Sequence, residues 1–337
     1  MALNFAVGFT PDQPREFTEW CRVAEDSGFE RIGVVDSQSI YRELYVSCTV
    51  GLQATKTVKL GPRVTNPLTR HITVTASSLL TLSELCPERV FVAVGTGDSA
   101  LRNIGLRPVG LSSLIEFTSS LRSILGGEAV QYGGSEIRLT WGKARIPIYI
   151  AAHGPKTLEV AGEFADGVIV GTGVGDDIVR DAFRAIAKGA SRAGRQPESI
   201  DIWWHLGAYV GESREHASAR IRSNLASKVN HLLRFPNQNK YVPPEYKDAL
   251  EKIHREYNYR EHLKPGPDTK NARLVQESGS ENYLADRYAI VGTPQDCLET
   301  LGRLESMGVT KIWLNTYTED NIAFLKRWGN QIIANLS

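Results

Sequence analysis

Eight short apolar runs, nearly every one followed by a helix-like pattern, restrict what this chain can become. The runs cover residues 4–9, 31–36, 58–64, 89–94, 146–150, 167–170, 201–210 and 311–314. Residues 89–94 (RVFVAV) are almost unbroken in their hydrophobicity, which suits a parallel strand covered on both faces. Apolar residues recur at helical spacing over 14–27, 41–54, 71–85, 112–125, 155–164, 176–193 and 321–334, and a further helix begins near Thr293-Pro294. Two short runs, 128–132 and 136–141, flank Gly133-Gly134 and read as a hairpin. Strand and helix in alternation place the chain in the α/β class. Eight repeats predict a (β/α)8 TIM barrel with insertions, one domain over residues 1–337. The competing doubly wound sheet wants a glycine fingerprint after its first strand, and Gly8-Phe9-Thr10 is not one.

One stretch breaks the rhythm. From residue 228 to 287 the composition turns polar and aromatic, with Pro243-Pro244, Tyr246, Tyr257, Tyr259 and His262, and only 244–257 reads as helical. This longest insertion follows the seventh strand. Strand-to-helix loops of a barrel lie on its functional face, so the expectation is a lid or an interface segment.

Composition removes several function classes. A formal net charge of +1 over 337 residues gives no field that would draw nucleic acid or a membrane surface. No apolar run approaches the roughly 18 residues that a bilayer span needs. The first residues lack a basic segment followed by a long apolar one, so no signal peptide is expected. Cys21, Cys48, Cys86 and Cys297 have no metal-ligand spacing and read as small hydrophobes of a reduced cytoplasm. No His, Asp and Glu set has zinc-like spacing, and no metal is expected.

Polar residues gather where strands end. Asp36-Ser37-Gln38 follows the second strand, Arg63-Val64-Thr65-Asn66 ends the third, and Gly97-Asp98 follows the fourth. His153-Gly154-Pro155-Lys156 follows the fifth, and Thr172-Gly173 the sixth. Asp36 fits three roles: a proton-transfer carboxylate, a partner for a cofactor ring nitrogen, or a cap for the helix beginning at Tyr41. Asn66, held extended by Pro67, fits either a ring-edge contact or a turn. Gly154 permits close backbone approach and Pro155 suits a first helical position. With Lys156 they describe an anion site, or equally an ordinary helix start beside a solvated lysine. His71 and His205 read as satisfied histidines rather than ligands.

These motifs, taken together and in order, resemble the luciferase-like flavin-dependent oxidoreductase family. The resemblance is carried by residues 24–29 (AEDSGF), 35–38 (VDSQ), 60–67 (LGPRVTNP), 76–85 (ASSLLTLSEL), 146–150 with 153–159 (HGPKTLE), and 161–168 (AGEFADGV). It spans residues 1–227 and resumes at Val291, and its nearest branch is the methylene-tetrahydromethanopterin reductase type. The resemblance implies reduced FMN or the deazaflavin F420 bound at the strand ends, and a non-prolyl cis peptide near Arg63-Val64. It implies Asp36, Arg63 to Asn66 and Gly97-Asp98 around the ring and its side chain, and Gly154-Pro155-Lys156 with Thr172-Gly173 at the phosphate. Asp36, Gln38 and His153 become the candidate catalytic residues. Many F420-using members carry a His shortly after the strand-two Asp, where this chain reads Ser37-Gln38. That departure tilts the expectation to an FMN-dependent two-component monooxygenase, served by a separate flavin reductase and acting on a small organic substrate with O2. An F420-dependent hydride-transfer enzyme is the alternative, a non-catalytic flavin-binding barrel the third. A homodimer pairing through helices two and three is also implied.

Overall fold

Parallel strands form where the apolar runs lie. The structure, a computed structural model, describes residues 3–234, 241–262, 264–316 and 318–336, so the stretch 235–240 of the expected insertion lies outside it. Its strands are β1 (Asn4–Phe9), β2 (Arg31–Val34), β3 (Lys59–Thr65), β4 (Val92–Val94), β5 (Val130–Tyr132), β6 (Ser135–Ile137), β7 (Ile148–Ala152), β8 (Gly167–Val170), β9 (Asp201–Val210), β10 (Ala289–Gly292) and β11 (Lys311–Asn315). Its helices are α1 (Pro14–Asp26), α2 (Leu44–Ala54), α3 (Ile72–Leu85), α4 (Ser99–Arg102), α5 (Leu111–Leu125), α6 (Pro155–Phe164), α7 (Asp176–Arg192), α8 (Arg214–Arg220), α9 (Arg222–Leu233), α10 (Lys247–Glu256), α11 (Lys270–Glu277), α12 (Glu281–Tyr288), α13 (Pro294–Ser306) and α14 (Asn321–Gln331). The sheet runs β10-β9-β11-β1-β2-β3-β4-β7-β8 with β9 also pairing to β8, which is the strand order of the (β/α)8 barrel with one added strand. No helix among the described residues is long and apolar enough to cross a membrane.

Chain contacts divide the protein into two units. The N-terminal unit comprises Ala6–Ile169 and Phe183–Ile202, and the C-terminal unit comprises Met1–Phe5, Val170–Ala182 and Trp203–Ser337.

In the N-terminal unit, Gly8, Gly33 and Gly61 lie in register across β1, β2 and β3. A Cβ on Gly61 would meet the Phe91 carbonyl oxygen at 1.9 Å, so the close approach requires glycine there. At the strand starts, Arg31 donates to Tyr149 Oη (2.5 Å) and to Asp201 Oδ2 (2.9 Å), and Tyr149 Oη donates to Asp201 at 2.7 Å. Burial pushes the Tyr149 phenol up, so its proton stays on that oxygen. Glu25, near the end of α1, receives the backbone N–H groups of Lys56, Thr57 and Val58 and fastens α1 to the turn before β3. The expected hairpin is β5–β6, shorter in its second strand than the sequence suggested. Cys21 and Cys48 are buried here, and Cys86 is half-buried.

The C-terminal unit departs from expectation. Among its described residues the segment 228–287 is mainly helical, with the second half of α9, all of α10 and α11 and nearly all of α12, rather than helical over 244–257 alone. Ile221, Leu225, Val229, Leu250, Ile253, Val275, Leu284 and Val291 join in one apolar core. The helices were hidden because α9 buries polar residues as well: Ser223, Asn224, Ser227, Lys228 and Asn230 are all inaccessible. An apolar-face reading of the sequence therefore finds no stripe. Strand β10, also unforeseen, precedes α13, whose start is fixed by a Thr293–Asp296 capping box.

Candidate active site

The ends of β2 and β3 meet at Asp36. This residue lies two positions beyond β2, is 7% exposed, and accepts hydrogen bonds from Thr65 Oγ1 (2.7 Å), Arg70 Nε (3.2 Å) and Arg70 Nη2 (3.0 Å). Arg70 Nη1 also reaches Glu43 at 2.8 Å, and the guanidinium lies 5.2 Å from the Tyr45 ring centre. Burial works against the charge on Arg70, but the Asp36 contact overrides it and holds the group more firmly protonated than usual. The helix cap once open to Asp36 is made by Glu43 instead, which accepts from Val46 N at 2.7 Å. Asp36 is thus fixed to the end of β3, and these contacts favour a positioning role over proton transfer.

The peptide bond Arg63–Val64 is cis, as the family resemblance implied. Thr65 is held by Asp36. Asn66 takes the local option: its Oδ1 accepts from Leu68 N and Thr69 N, both at 3.0 Å, and its Nδ2 donates to Thr69 Oγ1 at 2.9 Å. The amide is spent on its own turn rather than free for a ring edge.

Two more contacts close this corner. Gln38 Nε2 donates to the Ala100 carbonyl at 3.1 Å, and the Ser37 and Ser99 hydroxyls are paired at 2.9 Å. Both bind the loop after β2 to the short α4, an element too brief to leave a periodic pattern of residues. Gly97, with φ of +90°, turns the chain into α4, and Asp98 is paired with Arg102 at 3.2 Å. Gln38 therefore stands as a loop tie.

Beyond β7 the geometry is more open. His153, Pro155 and Lys156 are exposed. Gly154 is the extended N-cap of α6, no side chain caps the helix, and Pro155 occupies the first turn with no acidic residue beside it. A Cβ on Gly154 would meet nothing within 4 Å. An uncapped helix start with open space before it suits a phosphate, so the residues present fit a phosphorylated cofactor.

Thr172 and Gly173 belong to the C-terminal unit. Arg287 donates to the Thr172 carbonyl through Nε (3.4 Å) and Nη2 (3.3 Å), and Gly173, with φ of +86°, packs on Arg287 and Tyr288. The loop is shaped by Arg287, which the sequence reading did not single out.

His71 caps α3 through Nδ1. Among the described residues no group of three His, Cys, Asp or Glu is arranged to hold a metal ion. Arg70 was missed because its partner is 34 residues away; a basic residue in a strand-end loop opposite an acidic one was the available signal.

Comparison with known proteins follows the same lines. A family model described as luciferase-like monooxygenase matches residues 4–311. A 5,10-methylenetetrahydromethanopterin reductase from Methanolobus tindarius is 29% identical, over 92% of this chain and 93% of its own length. An F420-dependent glucose-6-phosphate dehydrogenase from Mycolicibacterium fortuitum is 32% identical, over 96% of this chain and 95% of its own. The solved structure of a coenzyme F420-dependent tetrahydromethanopterin reductase from Methanopyrus kandleri covers 100% of both chains with a TM-score of 0.79 and 23% identity, which establishes the shared barrel fold.

Proposed function

We propose that this chain, which belongs to the luciferase-like monooxygenase family and is an oxidoreductase, transfers a hydride between the deazaflavin F420 and a small organic substrate. The observation that carries this reading is the full-length relatedness to an F420-dependent dehydrogenase at 32% identity. It reverses the order suggested by Ser37-Gln38, which had put an FMN-dependent monooxygenase with a separate flavin reductase first. In this chain those two side chains tie loops together, so the missing His does not by itself speak for oxygen chemistry.

The chain's own part is binding and orientation. When bound, F420 supplies the hydride-carrying carbon. Arg63 to Thr65, held through Asp36 and Arg70, form the floor for its ring. The open start of α6 with Lys156 takes its phosphate. Gly97-Asp98 are assigned to the same ring region, and His153, exposed in the loop after β7, is the candidate proton carrier. The same reading makes the protein a homodimer paired through α2 and α3, on which Val46 and Val74 are 58% and 50% exposed.

Turnover tests the reaction class. Reduced F420 with a panel of carbonyl and imine acceptors should be oxidised at a rate that rises with protein concentration under anaerobic conditions. Oxygen uptake with reduced FMN, and no F420 oxidation, would return the protein to the monooxygenase reading.

A further inference from the structure

A cavity of about 510 Å³ lies within the N-terminal unit, at the opposite end of the strands from Asp36 and Thr65. Helix α5 runs back from the end of β4 to the start of β7, and the connection that follows it carries the β5–β6 hairpin. Helix-to-strand connections in α/β units usually take roughly 2–6 residues, whereas this one runs from Gly126 to Pro147. The cavity sits where the longer connection leaves α5 and rejoins the barrel. Arg122, Leu125 and Glu128 line it on the outgoing side, and Lys143, Arg145 and Ile146 on the returning side. The Ala144 N–H joins the two sides by donating to the Leu125 carbonyl at 2.9 Å. Leu125 and Ile146 are buried side chains, so part of the wall is apolar.

Charge around this cavity does not balance. Asp166 serves two arginines at once: Arg122 Nη1 donates to its Oδ2 (2.9 Å) and Oδ1 (3.1 Å), and Arg145 Nη2 donates to Oδ1 at 3.1 Å. The Ile148 N–H takes Oδ2 as well, at 2.8 Å, which fills the acceptor capacity of one carboxylate. A third guanidinium, Arg195, stands within the same field. Burial lowers it, Asp166 opposes that, and Arg122 and Arg145 add to the lowering. Lys143 is exposed and has no ion pair among the described residues. Glu128 accepts from the Ser123 hydroxyl at 2.7 Å. Four cations and two carboxylates leave an excess of positive charge, which the negative end of α5 trims by about half a charge. The complement is an acceptor-rich anion, and Lys143 and the outer nitrogens of Arg145 are the donors left for it.

We propose that this cavity binds a small amphipathic oxyanion, a phosphate or carboxylate on an apolar body, with Lys143 and Arg145 holding the charge and Leu125 and Ile146 the body. Its volume falls in the range of roughly 300–1,000 Å³ that small-molecule sites occupy. The site stands independently of the F420 reading, since it lies at the other end of the strands. Calorimetric titration of the full chain with phenyl phosphate and, separately, with phenylacetate tests it and tells the two headgroups apart. At least one should bind saturably, and benzyl alcohol, a body of similar size without charge, at least about tenfold more weakly. Lys143→Gln combined with Arg145→Gln should weaken the anion by about tenfold or more. Both side chains are exposed and Asp166 keeps Arg122, so the fold should survive the change. Should the double variant not fold, Lys143→Gln alone, which breaks no ion pair, should still weaken binding by about threefold or more. The α6 start is a second place for phosphate, so Lys156→Ala is run beside them and should keep the binding. Absence of binding by both anions, benzyl alcohol binding as tightly as they do, or anion binding lost in Lys156→Ala but kept in the double variant overturns the site.

Discussion

Arg70 grips Asp36 with two hydrogen bonds, Nη2 to Oδ1 at 3.0 Å and Nε to Oδ2 at 3.2 Å, while Thr65 shares Oδ2. One ion pair thus joins the loop after β2 to the end of β3. Removing Arg70 leaves a nearly buried carboxylate without its counter-charge, a change worth about 3 kcal/mol. Arg70→Ala should therefore lower the denaturant midpoint and weaken F420 binding together. Arg70→Lys should restore only part of either, because an ammonium cannot form both bonds at once. Unchanged cofactor affinity in Arg70→Ala would separate the pair from the site.

The open start of α6 gives a prediction in which two readouts move apart. Gly154→Asp places a carboxylate at an uncapped N-cap whose extended backbone and free space accept it. The helix should gain a few tenths of a kcal/mol, because Asp caps better than Gly. Cofactor affinity should fall, because the new charge faces the phosphate. A variant that binds F420 as well as the parent would move the phosphate elsewhere.

At the strand starts, Tyr149→Phe deletes the hydroxyl between Arg31 and Asp201 but leaves their own 2.9 Å contact. Thermal unfolding should show a loss of about 1–2 kcal/mol, with F420 binding unaffected. A parallel fall in affinity would mean that this network reaches the cofactor.

Acid exposes the role of Glu25. Burial raises its carboxyl, but the N–H groups of Thr57, Val58 and Lys56 and the Thr57 hydroxyl outweigh that and hold it down to about 2. Its folded value therefore lies below its unfolded one, so its contribution is complete above the ordinary carboxylate range and disappears as the pH falls toward 2. Glu25→Gln should be less stable than the parent at neutral pH, and the difference should shrink steadily under acid titration followed by circular dichroism. A difference independent of pH would assign the effect to packing.

Several of these residues show what a sequence can carry. The strands were legible because a parallel strand covered on both faces must be apolar throughout, as 89–94 and 167–170 are. For Asn66 the turn was one of two open readings, and it was within reach because its partners Leu68 and Thr69 are within three residues. The cis bond at Arg63–Val64 was reached through resemblance to a family, and no local pattern of residues announced it. Arg70 with Asp36 and Lys228 with His205 depend on chain segments brought together only by folding, so spacing could not reveal them. Apart from α10, the helices of 228–287 were hidden for a further reason: their buried faces mix polar groups with apolar ones, as Asn224 and Lys228 do in α9. Since α9 to α12 share one core, replacing that segment with a short linker should unfold the C-terminal unit rather than only impair substrate use.

The choice of cofactor is the central claim, and one equilibrium titration meets it directly. Purified protein is mixed anaerobically with F420, and the quenching of deazaflavin fluorescence is followed with and without excess reduced FMN. Saturable binding of F420, with an affinity at least about tenfold above that of reduced FMN measured by displacement, is the predicted result. Binding of reduced FMN with no saturable binding of F420 would contradict it.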